Sequence, residues 1–151
     1  MTEGNDGIAL GVLDGLMGYH MRRASAVFAG DFSRAVADTG MRQVLFGILS
    51  IIAANPGINQ GNVGRALGIQ RANMVALVND LVDRGLVNRE TAADDRRAFA
   101  LNLTPAGEES VAAVLERIRV HEDALLSDLS ATERADLVAL LARIEAKEVS
   151  A

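Results

Sequence analysis

The chain has 151 residues, half of them hydrophobic, which is the size of one domain that can bury a substantial core. It contains no cysteine, which excludes disulfides, thiolate catalysis and cysteine-ligated zinc. The net charge of −5 and the isoelectric point near 5.0 by themselves disfavour nucleic-acid binding. No basic segment leads into an apolar leader and no uncharged apolar run approaches a membrane span, so we expect a cytoplasmic protein with no membrane partner.

The charge is unevenly distributed along the chain. Residues 57–104 hold six arginines against five acids, a balance of +1. Residues 1–56 have a balance of −1 and residues 105–151 a balance of −5. A local basic surface in the middle of the chain is therefore compatible with the acidic total.

A long N-terminal helix is predicted over 8–36, because apolar residues recur at helical spacing through this segment. A Thr-Gly pair interrupts the pattern, and a second helix is predicted over 41–54. The second helix should end before the sequence Asn-Pro-Gly at 55–57, which favours a turn.

Two shorter helices are predicted next. Asn59 is suited to cap the first of them, because its side chain can accept a hydrogen bond from a free amide of the first turn. Gly68 favours the end of that helix. The second short helix is expected to begin near Arg71 and to end at Gly85.

A β-hairpin is predicted over 86–103, where the sequence Phe-Ala-Leu-Asn-Leu at 99–103 alternates in the period of a half-buried strand. Thr104 and Pro105 fit the cap and the first position of a fifth helix. Ser130–Glu133 matches a capping box at the start of a sixth. The predicted fold is mainly α with a small β-hairpin wing.

Two short helices joined by a tight turn and followed by a hairpin are typical of a winged helix-turn-helix. The second short helix then fits a major groove, with its N-terminal side chains at the base edges. A spacing of three residues places Val75, Val78 and Leu81 inward and leaves their neighbours outward. The alternative is the solvated face of a small helix. The candidate DNA contacts on the two helices are Asn59, Gln60, Gln70, Arg71, Asn73 and Met74.

The predicted hairpin carries Asp95, Arg96 and Arg97 at its tip. A tip beside a recognition helix reaches the neighbouring minor groove, whose negative potential attracts arginine. Arg97 is predicted to enter that groove and Arg96 to contact phosphate. Asp95 is predicted to contribute to DNA binding by orienting Arg97 through an ion pair. The alternative is a surface loop whose charges neutralise one another.

Residues 57–107 resemble the DNA-binding core of the MarR family of bacterial transcription regulators. Asp83–Arg89, with the sequence DRGLVNR, matches the family's link from the recognition helix to the wing. The resemblance implies a homodimer on a pseudo-palindromic DNA site, with the first helix and the last two helices interlocked between subunits. The D-x-R wing and the L-T-x-x-G sequence of the family correspond to Asp95, Arg97, Leu103, Thr104 and Gly107.

We therefore expect a single domain over 1–151. Within it, 8–38 and 105–150 are predicted dimerisation helices that flank a winged helix-turn-helix lobe at 41–104. The sequence supports the dimer independently, because the first and last helices offer more apolar surface than a short core needs. The alternative is that this apolar surface is buried inside a monomer. On the last helix the apolar positions are Leu137, Leu140, Leu141 and Ile144.

The resemblance also implies a small-molecule effector, often an aromatic acid or its thioester, in a cleft between the dimer helices and the DNA-binding lobe. His20 and Arg23 lie about one turn apart on or beside the apolar face of the first helix and are predicted to bind a carboxylate. The alternative is a His20 that is hydrogen-bonded at the dimer interface, beside exposed arginines. The candidate effector residues are Tyr19, His20, Arg23, Phe28 and Phe46.

The predicted function is a sequence-specific DNA-binding transcriptional regulator, a repressor that a small molecule releases. The sequence contains no nucleophile motif, phosphate-binding loop or metal cluster that would indicate an enzyme. No cofactor and no metal site are predicted, because two histidines would need carboxylates to complete a zinc site. The alternative is a winged-helix interaction module that no longer binds DNA.

Overall fold

The computed structural model describes residues 7–91 and 99–147. In these ranges the chain forms six α-helices and a three-stranded antiparallel sheet, which confirms the mainly helical architecture. None of these helices is long and apolar enough to cross a bilayer. The helices are α1 (Met17–Ala35), α2 (Gln43–Ala54), α3 (Gln60–Leu67), α4 (Arg71–Asp83), α5 (Pro105–Leu125) and α6 (Ala131–Glu145), and the strands are β1 (Ile58–Asn59), β2 (Val87–Thr91) and β3 (Phe99–Leu103).

The N-terminal helix is shorter than predicted, and the expectation of one helix over 8–36 is wrong in its first third. Gly11–Gly15 forms a 3-10 helix in which no residue is buried. Leu16 then adopts an extended conformation with φ −98° and ψ 115°, and only after it does α1 begin. Gly11 has a φ of 60°, outside the α-helical region. Apolar spacing alone does not maintain a helix where no packing within the chain supports it.

The core lies in the middle of the chain, where α2 packs against α3, α5 and β3. α2 is the most apolar element and contributes four buried side chains, while α4 adds three and β3 adds Leu101. By contrast, α6 contributes no buried residue. The fully buried side chains are Leu45, Ile48, Leu49, Ile52, Val63, Met74, Val78, Leu81 and Leu101.

The turn between α3 and α4 follows the predicted signals. The Asn59 side chain accepts a hydrogen bond from the Asn62 amide at 2.8 Å, which confirms it as the cap of α3. α3 ends at Gly68, whose φ of 66° belongs to the left-handed region that favours glycine. At Gly64 a Cβ atom would lie 3.0 Å from Met74 Cγ and 3.1 Å from the Ile69 carbonyl oxygen. The two helices therefore approach as closely as a glycine allows.

Replacing Gly64 by alanine should destabilise the fold by about 1–3 kcal/mol, because the added methyl group presses on a fully buried side chain and on backbone. Gly61, on the same helix, is a matched control. A Cβ there meets only Asn59 Oδ1 at 3.5 Å, an ordinary contact, so Gly61→Ala should leave stability unchanged or slightly raised. Urea denaturation of both variants checks the prediction, and equal midpoints would contradict it.

The predicted hairpin is present in its described part, and β1 joins it as a third strand. β2 pairs with β3 in antiparallel register, with Val87 opposite Leu103 and Thr91 opposite Phe99. β1 pairs with the other edge of β3, with Ile58 opposite Leu101. A strand of two residues is too short to show alternation, so sequence periodicity did not predict β1.

The caps of the last two helices are confirmed. The Thr104 side chain accepts from the Gly107 amide at 3.0 Å at the start of α5. At the start of α6, the Glu133 amide donates to Ser130 Oγ at 3.1 Å and the Ser130 amide donates to Glu133 Oε2 at 2.7 Å. Arg134 donates to the Leu126 carbonyl at 2.7 Å, which ties the first turn of α6 to the end of α5.

Candidate nucleic-acid interface

The buried stripe of α4 differs from the prediction by one residue. Met74, Val78 and Leu81 are buried, whereas Val75 is 48% exposed. The placement of Met74 on the outer face is therefore wrong, and so is the inward placement of Val75. Positions i, i+4 and i+7 form one stripe on a helix of 3.6 residues per turn, and Val75 is rotated about 100° away from it. With 1% exposure, Met74 lies out of reach of a base edge in this structure.

The other predicted residues at the N-terminus of α4 are exposed. Gln70 is the cap residue, but its side chain makes no capping hydrogen bond, and its carbonyl accepts from the Asn73 amide at 3.0 Å. Gln70, Arg71 and Asn73 are all solvent-accessible. The helix therefore presents its positive dipole end and three polar side chains at one place.

A cleft separates the N-terminal part of α4 from the root of the wing. Three guanidinium groups line it, one from α3, one from α4 and one from β2, and no carboxylate lines it among the described residues. In a chain of net charge −5 this is a concentrated positive surface. The polar and aromatic residues of the lining are Asn59, Gln60, Arg65, Arg71, Arg89 and Phe99.

Arg89 joins the wing to α4. Its guanidinium donates to Asn79 Oδ1 at 2.6 Å and lies 5.6 Å from the centre of the Phe99 ring. A cation over an aromatic face and a hydrogen bond to α4 restrict the same side chain from two directions. The sequence did not predict Arg65 or Arg89 as DNA contacts. The one feature that indicated them was the positive charge balance of residues 57–104.

Two other predicted DNA contacts lie at the start of α3. Asn59 uses one lone pair of its side-chain oxygen as the helix cap, which leaves its amide nitrogen as a donor for another partner. Gln60 is half-buried in the lining of the cleft. The wing residues Asp95, Arg96 and Arg97 lie outside the described residues, and their roles stay predictions.

The predicted effector residues fall into two groups. Tyr19 and His20 contact each other edge to face, with 5.3 Å between ring centres, and His20 Nε2 lies 2.7 Å from the Asp14 carbonyl oxygen. Phe46 of α2 instead packs beside Phe32 of α1, with 6.3 Å between ring centres. Neither of two clefts beside α4 is lined by these residues. Of the remaining candidates, Arg23 is exposed and Phe28 is half-buried.

The C-terminal end of α4 is tied to the turn between α1 and α2. Arg84 donates to Asp80 Oδ1 at 2.8 Å and to the Gly40 carbonyl at 2.9 Å. Arg42 lies 3.7 Å from the other carboxylate oxygen of Asp80. The hydrogen bond from Arg84 lowers the pKa of the Asp80 carboxyl, and the charge of Arg42 acts in the same direction. These contacts help fix the position of α4 relative to the N-terminal helices.

A second set of polar contacts joins α1 to α5. Asp31 is 7% exposed, and its carboxylate oxygen lies 3.2 Å from His121 Nδ1. Arg117 donates to Asp38 Oδ1 at 2.6 Å, and this hydrogen bond lowers the pKa of the Asp38 carboxyl. Within the described residues, no group of three histidine, aspartate or glutamate side chains could hold a metal ion.

A helix-turn-helix with an exposed second helix, followed by a hairpin beside an arginine-lined cleft, defines the winged helix-turn-helix class. A sequence profile of the MarR family matches residues 40–98. The chain is 33% identical over 135 residues to a transcriptional regulatory protein assigned to the hcr operon of Thauera aromatica, covering 89% of this chain and 81% of that one. The chain therefore belongs to the MarR family of winged-helix transcriptional regulators.

Solved structures agree with this assignment. The transcriptional repressor CouR bound to a 23-mer DNA duplex is 35% identical, with a TM-score of 0.88 over 91% of this chain and 98% of that one. CouR bound to p-coumaroyl-CoA is 32% identical, with a TM-score of 0.82 over 93% and 99% of the two chains. The fold is thus shared along almost the whole length, including the helices outside the winged helix-turn-helix.

Proposed function

We propose that this chain is a sequence-specific repressor that binds duplex DNA as a homodimer in the cytoplasm. The observation that carries the proposal is the cleft that three arginines line, with no carboxylate among its described residues, next to the exposed N-terminus of α4. Phosphates bind at such a concentration of guanidinium groups and free helix amides. The DNA-bound structure of CouR, which has the same fold, supports the proposal.

The homodimer is supported by the surface that one chain exposes. Several large apolar side chains of α1 and α6 remain exposed in the single chain, and exposed apolar patches of this kind mark protein–protein interfaces. Much of the exposed apolar surface lies at the two ends of the chain, in keeping with dimerisation helices at 8–38 and 105–150. The large exposed side chains there include Val12, Leu16, Met17, Val138, Leu140 and Ile144.

In the proposed complex, a two-fold axis places two copies of α4 about 34 Å apart, one turn of B-DNA. Gln70, Arg71 and Asn73 contact base edges, and the free amides of the first turn of α4 face phosphate. Arg97 enters the minor groove from the wing and Arg96 contacts phosphate. The arginines of the cleft offset the acidic total charge at the contact surface.

Selection from a random duplex library, followed by a salt titration, tests the proposal. We expect a pseudo-palindromic site whose affinity falls at least about a thousandfold between 50 and 200 mM salt, because several phosphates are neutralised. A random duplex of equal length should bind more weakly at every salt concentration. Failure to enrich any sequence, with no duplex binding at low salt, would favour the interaction module that does not bind DNA.

Arg71→Ala should weaken binding to the selected site by about 1–3 kcal/mol and relax the preference at one base pair in each half-site. Arg71 is exposed at the first position of α4 and lines the arginine cleft. Arg119→Ala, at an exposed position of α5, is the matched control and should bind normally. Equal losses on the selected and random duplexes would assign Arg71 to phosphate contact alone.

The proposed effector is an aromatic acid or its thioester, supported by the p-coumaroyl-CoA complex of CouR. Repression lifts if the effector binds better to a dimer whose recognition helices no longer match the DNA spacing. The free energy of DNA binding that is lost then equals the difference between the effector's binding free energies for the two dimer conformations, typically about 1–3 kcal/mol. His20 and Arg23 bind the carboxylate of an acid, or donate to the carbonyl oxygen of its thioester, with Tyr19, Phe28 and Phe46 as aromatic contacts.

His20→Ala should leave DNA affinity unchanged and reduce the loss of affinity that the effector causes. The His20 ring also contacts the Asp14 carbonyl, so the substitution loosens the 3-10 helix as well. His20→Gln retains a donor at this position and serves as the comparison. The measurement is DNA affinity with and without p-coumaroyl-CoA as the probe. If the effector lowers the DNA affinity of both variants as much as that of the parent, His20 does not bind the effector and serves only to hold the N-terminal segment.

A further inference from the structure

We propose that α4 recognises thymine methyl groups in the major groove through Ala72, Val75 and Ala76. This inference rests on the proposed DNA binding and specifies which chemistry of the base pair the helix selects. In the major groove, the C5-methyl group of thymine is the apolar group that a base pair presents. Small apolar side chains are the ones that contact it.

The three residues share one face of α4. Positions 72, 75 and 76 have the i, i+3 and i+4 spacing that makes side chains neighbours on a helix. All three are exposed, and Val75 is 48% exposed. The face lies away from the buried stripe of Met74, Val78 and Leu81 and therefore adds nothing to the core.

The first turns of this face carry no charge, and the exposed Asp83 lies on the same face only at the C-terminal end of α4. Between Arg71 and Asp80, α4 contains only apolar residues and two asparagines. Asn79, one of the two, already accepts a hydrogen bond from Arg89. Asp80 is held by Arg84 and turned toward the α1–α2 turn. A basic face would bind phosphate at any sequence, whereas an uncharged apolar face gains only where the groove presents an apolar group.

Charge complementarity identifies the occupant at Val75, while Ala72 and Ala76 line a second cleft in which none of the described lining residues is charged. Val75 lines the same cleft as Arg65, Arg71 and Arg89, so a partner that covers it must also satisfy three guanidinium groups. A phosphate backbone with an apolar group at its base edges meets both requirements. An apolar protein surface would bury three positive charges without an opposite charge to offset them.

The test replaces each thymine of the selected duplex by deoxyuridine, which removes one methyl group and leaves the hydrogen-bonding edge intact. With the full-length protein, we expect affinity to fall about three- to tenfold at one or two thymines in each half-site, in line with the burial of a methyl group. Thymines in the flanking sequence are the control and should tolerate the change. This measurement uses the unaltered protein, so its result does not depend on how a variant folds.

A double-mutant cycle assigns the effect to Val75. Val75→Ala should weaken binding to the thymine duplex but have little further effect on the uracil duplex, because the lost contact is the same one. Thermal unfolding should be unchanged, because Val75 is about half exposed and alanine favours a helix. Additive losses in the cycle would overturn the assignment to Val75.

Two results separate this inference from the proposed function. If a site is selected but its half-sites lack thymine, or every uracil substitution changes affinity less than twofold, methyl recognition is wrong while DNA binding stands. If no duplex is selected or bound at low salt, both are wrong. The inference is confirmed if affinity falls when thymine is replaced by uracil in the parent protein and does not fall in the Val75→Ala variant.

Discussion

Replacing Gly107 by alanine is expected to destabilise the winged helix-turn-helix by about 3 kcal/mol or more, at the upper end of what overpacking costs. A Cβ atom at Gly107 would overlap the Leu86 carbonyl oxygen, and it would lie 3.1 Å from the carbonyl carbon. Both atoms belong to the backbone, so no side-chain rotation can relieve the contact. Either α5 or the strand entering the wing must move.

The same movement would break the contacts that fix the start of α5. The Leu86 carbonyl accepts from the Thr104 amide at 3.0 Å, and Thr104 Oγ1 donates to the Gly85 carbonyl at 2.6 Å. Thr104 Oγ1 also accepts from the Gly107 amide. The L-T-x-x-G sequence of the family thus places a helix cap and a close backbone approach at one junction.

Denaturant unfolding followed by circular dichroism measures this effect. Gly47→Ala is a suitable control, because a Cβ there meets only Leu67 methyl groups at 3.6 Å, within a helix. The control should be as stable as the parent or more stable by up to about 1 kcal/mol. A Gly107 variant that unfolds at the same denaturant concentration as the parent would show that α5 and the wing separate freely.

Leu140→Glu should convert the protein to a monomer and lower affinity for the selected DNA site at least about a hundredfold. Leu140 is 53% exposed in the middle of α6, a helix in which no residue is fully buried within its own chain. A carboxylate at this position would have to be desolvated in a dimer interface without a partner, which costs several kcal/mol. A monomer presents one recognition helix and loses the gain of linked binding.

Thr132→Glu is the matched control for this substitution. It adds the same charge to the same helix, at an exposed position of the first turn where an acid favours the helix dipole. Analytical ultracentrifugation should show a dimer for this control and a monomer for Leu140→Glu. A dimer in both, with normal DNA binding, would mean that Leu140 lies outside the interface.

The sequence predicted those parts of the fold that depend on local chemistry. Asn59, Thr104 and Ser130 occupy their expected caps, because a side-chain oxygen at these positions satisfies free amides of its own helix. Gly68 ends α3 as expected, because its left-handed conformation costs glycine little. Such signals act over three or four residues and need no knowledge of the partner elements.

The rest depended on contacts between distant segments. Whether Met74 or Val75 faces inward is decided by the approach of α3 at Gly64, which apolar spacing on α4 alone does not show. The position of Arg89 over Phe99 follows from strand register, and β1 forms because β3 offers it an edge. Long-range pairing of this kind leaves no periodic pattern in a short segment.

The acidic total charge was the strongest argument from sequence against DNA binding, and the structure shows where the cations gather. Arg65, Arg71 and Arg89 come from three separate elements and meet at one cleft. Their spacing along the chain forms no basic cluster. Average charge therefore says little about the surface that a folded helix-turn-helix presents to a duplex.

Half-site spacing provides the most direct test of a dimer that engages one duplex with two recognition helices. Five base pairs inserted between the selected half-sites turn one of them by about half a helical turn and move it by about 17 Å. We expect this insertion to lower affinity at least about a hundredfold, while substitution of five central base pairs without insertion has a much smaller effect. Unchanged affinity after the insertion would contradict the account, because it would mean that the two recognition helices act independently.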